Sequence, residues 1–282
     1  MRLEPARLIA PFECSLPATL RLSGERALFR SHALTRETYS TERFLSGRPD
    51  KIGAPSKAFP VGSRSVFVWE TNGPSLLRYG LERDLKLAGD AESCRAFNLI
   101  ASALSDVIEP FPFLRCAVSE LVWRCHIVLA ETKDCDVSFS DPAVPFSIFV
   151  SAPPEGADSS ILRVAESVIH ETMHLQLTLF ESLVPLVDIA SLFSMYSPWK
   201  QENRPAQGVL HGLYVFSVLR WMWLRKSQTT GNRIDRDFAS RRVAEIDEQV
   251  SAVRSLEKSP ALTEAGRRLL DQLFIVNDAE PS

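Results

Sequence analysis

The spacing of apolar positions divides the chain into segments of different period. Residues 1–75 are punctuated by Pro and Ser and show no long periodic stretch beyond short helical runs around residues 17–30. SRSVFVWETNGPS (residues 63–75) reads as a strand, with Val66 and Val68 set against Phe67 and Trp69, closed by an Asn-Gly-Pro turn. Residues 76–90 and 91–108 then carry helical spacing, with Phe97, Ile100, Leu104 and Ile108 on one stripe, and Pro110 and Pro112 stop the second helix. From 119 to 152 the period changes. HIVLAE, VSFSDP and FSIFVSAPP are short β-branched and aromatic runs between turn residues, which predicts strands of a small sheet. Asp158, Ser159 and Ser160 then offer N-caps to a helix over about 161–184, ended by Pro185. A second buried helix is predicted over about 205–226, with Pro205 suited to its first turn. Ile234, Phe238, Ile246, Val250 and Val253 mark a helix within 234–256, and a terminal helix lies near 261–274. The predicted fold class is α+β, mostly α: a small β-sheet before a buried helix, then a helical C-terminal half.

Composition narrows the function classes. The 282 residues are 45% hydrophobic and 24% charged, an ordinary globular balance. A net charge of −3 supplies no global positive field for nucleic acid or anionic lipid. Arg241-Arg242 and Arg267-Arg268 stand among acidic residues and read as solvated helix faces. The five cysteines are scattered without a CxxC pair, which argues against both a disulfide framework and a thiolate zinc site. The most apolar stretch, Val209 to Leu224, contains His211 and Arg220 and is too short and too polar to span a membrane. MRLEPARLIAPF lacks the apolar core of a signal peptide, so the expected location is the cytoplasm.

The chemistry concentrates in VIHETMHLQL, residues 168–177. His170 and His174 are four apart, so on a helix both imidazoles leave the same face and can bind one ion. Glu171 lies roughly 100° around the helix, beside the ion rather than among its ligands. The flanking residues are apolar on almost every side, and two His and a Glu in such surroundings are costly unless a cation satisfies them. A third ligand is needed. LQLTLFES, directly after His174, contains no Gly or His, which removes a close third histidine. Glu181 is on the same helix about 10 Å further along the axis, too far to share the ion unless the helix bends. Glu202 in a loop and His211 in the apolar segment GVLHGLYVFSVLRWMW remain, with His211 the stronger candidate. In a zinc peptidase, Glu171 would be the general base on a metal-bound water. A metal-binding scaffold without catalysis is a further reading.

VIHETMHLQL, SPWKQENRP and GVLHGLYVF, preceded by VSFSDPAVPFSIFVSAPP, together resemble the HExxH-type, 2-oxoglutarate-dependent peptide β-hydroxylases of ribosomal-peptide biosynthesis. The resemblance covers about residues 135–220, and Lys200 departs from it, standing where Arg is expected after Pro-Trp. It implies an Fe(II) site held by His170, His174 and His211, 2-oxoglutarate and O2 as cosubstrates, and a precursor peptide as partner and substrate. The distal carboxylate of 2-oxoglutarate would need a cation, with Arg204 the first candidate and Arg220 the second. Glu171 would then fix a ligand tautomer or a bound water. The whole chain, 1–282, is expected to form a single catalytic domain, with residues 1–115 a mostly helical N-terminal lobe and 116–282 the lobe of the metal site.

Overall fold

The computed structural model describes residues 57–61, 64–69, 74–122, 124–130, 132, 135–141, 147–154, 156–181 and 184–278. The short helices expected around residues 17–30 lie outside the described residues. The fold is α+β and mostly α, and its described residues fall into two compact units, one up to Gln176 and one from Leu177.

The unit up to Gln176 is built on a mixed five-stranded sheet in the order β1-β2-β3-β5-β4. β1 (Lys57–Val61) and β2 (Arg64–Trp69) form an antiparallel hairpin, and β2 then runs parallel to β3 (Arg124–Val128), which runs parallel to β5 (Ser147–Ser151). Beyond β5 lies the two-residue edge strand β4 (Ser138–Phe139), antiparallel to it. The central strands are buried without alternation, Cys125–Val128 in β3 and the whole of β5, as expected for parallel strands covered on both faces. Helices α1 (Pro74–Glu82), α2 (Asp90–Ser102) and α3 (Pro112–Leu121) lie between β2 and β3 in the chain. α2 runs on through a wider π turn, Ala103–Ile108. Pro112 therefore both ends what precedes it and opens α3, since at the first helical position its missing N–H costs nothing. Tyr79, Val128 and Phe149 form a small core that Leu85, Leu87, Val137 and Phe139 cover. Phe139 stacks on Phe149 at 4.4 Å, and the Tyr79 hydroxyl donates to Asp141 at 2.7 Å.

The last helix of this unit is α4 (Ser160–Glu181), which carries the HExxH motif, and the division between the units falls inside it at 176/177. Within residues 177–282 a two-stranded hairpin, β6 (Ser194–Ser197) and β7 (Glu202–Pro205), leads directly into α5 (Ala206–Thr229). Pro205 is the N-cap, one residue before the helix. α5 is nearly apolar all round, and it is buried accordingly: Val209, Leu210, Leu213, Tyr214, Val218, Met222 and Trp223 expose nothing. It packs on α6 (Arg233–Ala252) and α7 (Glu264–Asp278). Trp223 meets Phe238 edge-on at 5.1 Å, and the buried Asn277 amide donates to Ser217 at 2.7 Å. Ile234, which the periodicity placed on the apolar stripe of α6, lies in the first turn of the helix and is 68% exposed. Among the described residues, no helix is long and apolar enough to cross a membrane.

His126 on β3 is fully buried, its ring 4.7 Å from that of Phe149. Burial, with a smaller push from Arg124, lowers its pKa from the ordinary 6.5 to about 3. The unfolded chain thus takes up a proton below about pH 6.5 that the folded chain refuses, so this group contributes nothing above that pH and destabilises the fold as pH falls from about 6.5 towards 3. The expected slope is about 1.4 kcal/mol of unfolding free energy per pH unit. Urea titrations at pH 7, 6, 5 and 4 should show a falling midpoint, with a shallower decline in His126→Leu. An equal decline in both proteins would assign the acid sensitivity to other groups.

Candidate functional site

The approach to α4 explains how the motif is presented. Gly156 (φ 78°) and Ser159 (φ 53°) adopt left-handed backbone that turns the chain, and the Ser160 hydroxyl donates to the Ala157 carbonyl at 2.6 Å. Arg163, one turn into the helix, grips Asp136 through two 2.8 Å bonds, which ties the lead-in of β4 to the start of α4. Two residues further along that strand, the Ser138 hydroxyl donates to Oε1 of Glu171 at 2.7 Å. Side chains two apart on a strand share a face, so Asp136 and Ser138 both reach α4 while Phe139 turns to the other side, onto Phe149.

The motif residues then have distinct environments. The Nε2 atoms of His170 and His174 lie 3.2 Å apart, with the rings at 64° to each other. Glu171 is only 2% exposed, and its carboxylate stands 3.8 Å from Nε2 of His170. Thr172, also buried, returns its hydroxyl to the Val168 carbonyl at 2.6 Å and so contributes nothing to the site. The two imidazoles fit a metal ion. With Nε2 atoms 3.2 Å apart, an ion ~2.1 Å from each would see them at roughly 100°, between the ~90° of an octahedron and the ~109° of a tetrahedron. The donor pair therefore suits iron and zinc alike. Among the described residues no three His, Cys, Asp or Glu side chains are gathered as an ion requires.

The other expected residues belong to the unit of residues 177–282. His211 sits in the second turn of α5, and its Nε2 is 2.7 Å from Oε2 of Glu181. Gln207, one turn earlier on α5, donates its side-chain amide to the same oxygen at 2.8 Å. Glu181, set aside in the sequence for its distance from His174, is thus the direct partner of the candidate ligand His211. Glu202 and Arg204 lie on β7, exposed and paired with each other at 2.9 Å. Arg220, further along α5, forms an ion pair with Asp247 of α6. Sequence reasoning missed Ser138, and it weighed Glu181 only as a ligand, not as a partner of His211. Nothing in the sequence marks Ser138 as facing the helix. Glu181 did leave a signal, since seven residues after His174 it returns to nearly the same helical face.

SPWKQENRP is the β6–β7 hairpin, its four-residue loop closed by Gln201 N–H donating to Ser197 O at 2.8 Å, with Gln201 left-handed (φ 53°). Trp199 at its tip stacks on Phe216 of α5 at 5.2 Å and lies flat over Gly212, the neighbour of His211. A Cβ on Gly212 would stand 2.4 Å from the indole ring. Gly212→Ala should therefore destabilise the protein by about 1–3 kcal/mol, read as a lowered denaturant midpoint. Pairing it with Trp199→Leu should recover part of that loss, and strictly additive effects would count against the contact. No family model and no curated protein matches the chain, so its residues and their geometry carry the functional argument.

Proposed function

We propose that the protein is an Fe(II)- and 2-oxoglutarate-dependent dioxygenase that hydroxylates the Cβ of a residue in a ribosomally made precursor peptide. His170, His174 and His211 would hold the metal. The observation that carries this reading is the His170–His174 pair, whose Nε2 atoms lie 3.2 Å apart on one helix. It supports a metal centre, and the resemblance of SPWKQENRP and GVLHGLYVF supports iron with His211 as third ligand. Bound there, iron would couple decarboxylation of 2-oxoglutarate to succinate with insertion of one oxygen atom of O2 into the peptide C–H bond. A three-histidine set would differ from the common facial triad, which has a carboxylate in place of one histidine.

The chain's own residues would do the rest. Ser138 holds the Glu171 carboxylate away from bulk water and beside His170, a suitable place to fix the orientation of a ligand or a bound water. Arg204 is our assignment for the distal carboxylate of 2-oxoglutarate. Its present partner Glu202 is exposed, so exchanging it for a substrate carboxylate is inexpensive. Arg220 is less suitable, because it is largely buried against Asp247. Among the described residues no helix is long and apolar enough to cross a membrane, and a cytoplasmic location is our assignment from the scattered cysteines, which carry no CxxC pair.

Glu171 also favours a second reading, a zinc peptidase. A buried carboxylate 3.8 Å from a ligand nitrogen is placed as a general base would be, and β4 is an antiparallel edge strand next to it.

Single His170→Ala and His174→Ala variants are expected to lose metal, and His211→Ala should lose iron while Glu202→Ala keeps it. Arg204→Ala should raise the KM for 2-oxoglutarate about tenfold to a hundredfold at unchanged metal content. Glu171→Gln separates the two enzyme classes. With Fe(II), O2 and 2-oxoglutarate, the wild type should form succinate and add one oxygen to a peptide, and the variant should keep a remainder of roughly 1–10%. Peptide cleavage with Zn(II), indifference to 2-oxoglutarate and a dead Glu171→Gln protein would overturn the hydroxylase in favour of the peptidase.

A further inference from the structure

β4 stands last in its sheet, so one edge faces β5 and the other pairs with no strand among the described residues. The register decides which main-chain groups point out of that edge. Ser138 lies opposite Val150, and Phe139 opposite Phe149. One residue earlier, the Val137 carbonyl accepts from the Ser151 N–H at 2.8 Å, and the Val137 N–H donates to the Ser151 hydroxyl at 2.8 Å. Both main-chain groups of Val137 are thus turned towards β5. In an antiparallel ladder such residues alternate with ones whose groups point the other way. Ser138 therefore aims its N–H and its C=O together out of the open edge, a donor and an acceptor side by side. Its side chain leaves the strand at right angles to them, and the hydroxyl donates to Oε1 of Glu171 at 2.7 Å. The same oxygen stands 3.8 Å from Nε2 of His170. β4 and the HExxH residues belong to one compact unit, and β1, the other edge, is at the far end of the sheet.

We propose that the outer edge of β4 docks the substrate peptide as an added strand, held by both main-chain groups of Ser138. The proposal rests on the reading that the motif on α4 acts on a peptide. Residues directly opposite one another in a ladder send their side chains to the same face. The peptide residue opposite Ser138 therefore turns its Cβ to the face on which Glu171 and His170 lie, while its two neighbours turn theirs away. The substrate that fits is an extended stretch of peptide whose residue opposite Ser138 is not proline, since that residue must supply an N–H. Recognition through the main chain leaves the side chain at that position free for the reaction.

The test selects binders to the full-length protein from an mRNA-displayed library of random peptides and measures the Kd of each enriched peptide. Each peptide is then N-methylated at one position at a time, which removes a main-chain donor and leaves every side chain in place. Binding by wild-type protein is expected to weaken at alternate positions, with the positions between them tolerant. In the protein, Ser138→Pro should bind the same peptides about two- to tenfold more weakly than Ser138→Ala, which keeps the N–H. Proline is accepted on an edge strand where the N–H points outward, and a urea midpoint checks that the variant folds. The N-methyl series needs no variant and decides the matter if Ser138→Pro does not fold. A library that yields no binder, sensitivity without alternation, or equal affinity in folded Ser138→Pro and Ser138→Ala would each overturn the docking edge. Alternation without succinate formation or peptide oxidation would keep the edge and overturn the hydroxylase. Oxidation of a peptide that binds Ser138→Pro and Ser138→Ala alike would do the reverse.

Discussion

Placing ionisable groups in a dry helix is the constraint from which the rest of this structure follows. α4 is apolar around most of its circumference, with Leu162, Val164, Ile169, Met173, Leu177 and Phe180 buried, yet it also carries Glu171 at 2% exposure and two adjacent imidazoles. A lone carboxylate in such surroundings would cost several kcal/mol or give up its charge. The neighbouring strand answers that cost. Ser138 supplies a hydroxyl to Glu171, and Asp136 takes Arg163 one turn into the same helix. β4 and its lead-in are thus held to α4 by polar contacts on one side, and β4 is held to β5 by the Phe139–Phe149 stack on the other. A strand of two residues has little ladder of its own, and these side-chain contacts account for its place in the sheet.

The unit of residues 177–282 handles polarity in a comparable way around a different helix. α5 is buried over most of its length, and four of its polar side chains meet identified partners: Gln207 and His211 meet Glu181, Ser217 meets the Leu213 carbonyl and Asn277, and Arg220 meets Asp247. Its apolar residues are interchangeable in kind. The polar ones set which face meets which neighbour, because a rotation of the helix would leave buried donors and acceptors unmatched.

Much of the architecture was legible in the sequence, for identifiable reasons. Long helices with a strong apolar stripe, α4 and α5, emerged within a few residues of their ends because Ser159, Ser160 and Pro205 mark the starts. The strands of VSFSDP and FSIFVSAPP emerged from their β-branched and aromatic runs. α3 did not, because Pro110 and Pro112 suggest a stop and the same Pro112 opens the next helix. The β6–β7 hairpin was also missed. Its strands are four residues each, β7 is wholly exposed, and its loop relies on Gln201 in a left-handed conformation where Gly or Asn would have given a signal. At the site, the i,i+4 histidines follow directly from helical geometry. The pairing of Ser138 with Glu171 leaves no periodic trace, and although Glu181 returns to the helical face of His174, its pairing with His211 needs coordinates to be seen.

The indole of Trp199 over Gly212 also bears on how related proteins can differ. The contact is one of shape, a flat ring occupying the space that any side chain at residue 212 would fill. The two residues belong to separate elements, yet neither can change size alone without disturbing the turn of helix that carries His211. In an alignment of relatives they should behave as one character: a large aromatic at the hairpin tip wherever the helix has glycine, and a smaller tip residue wherever it does not. That covariation would follow the hairpin through evolution even where its loop sequence has drifted beyond recognition.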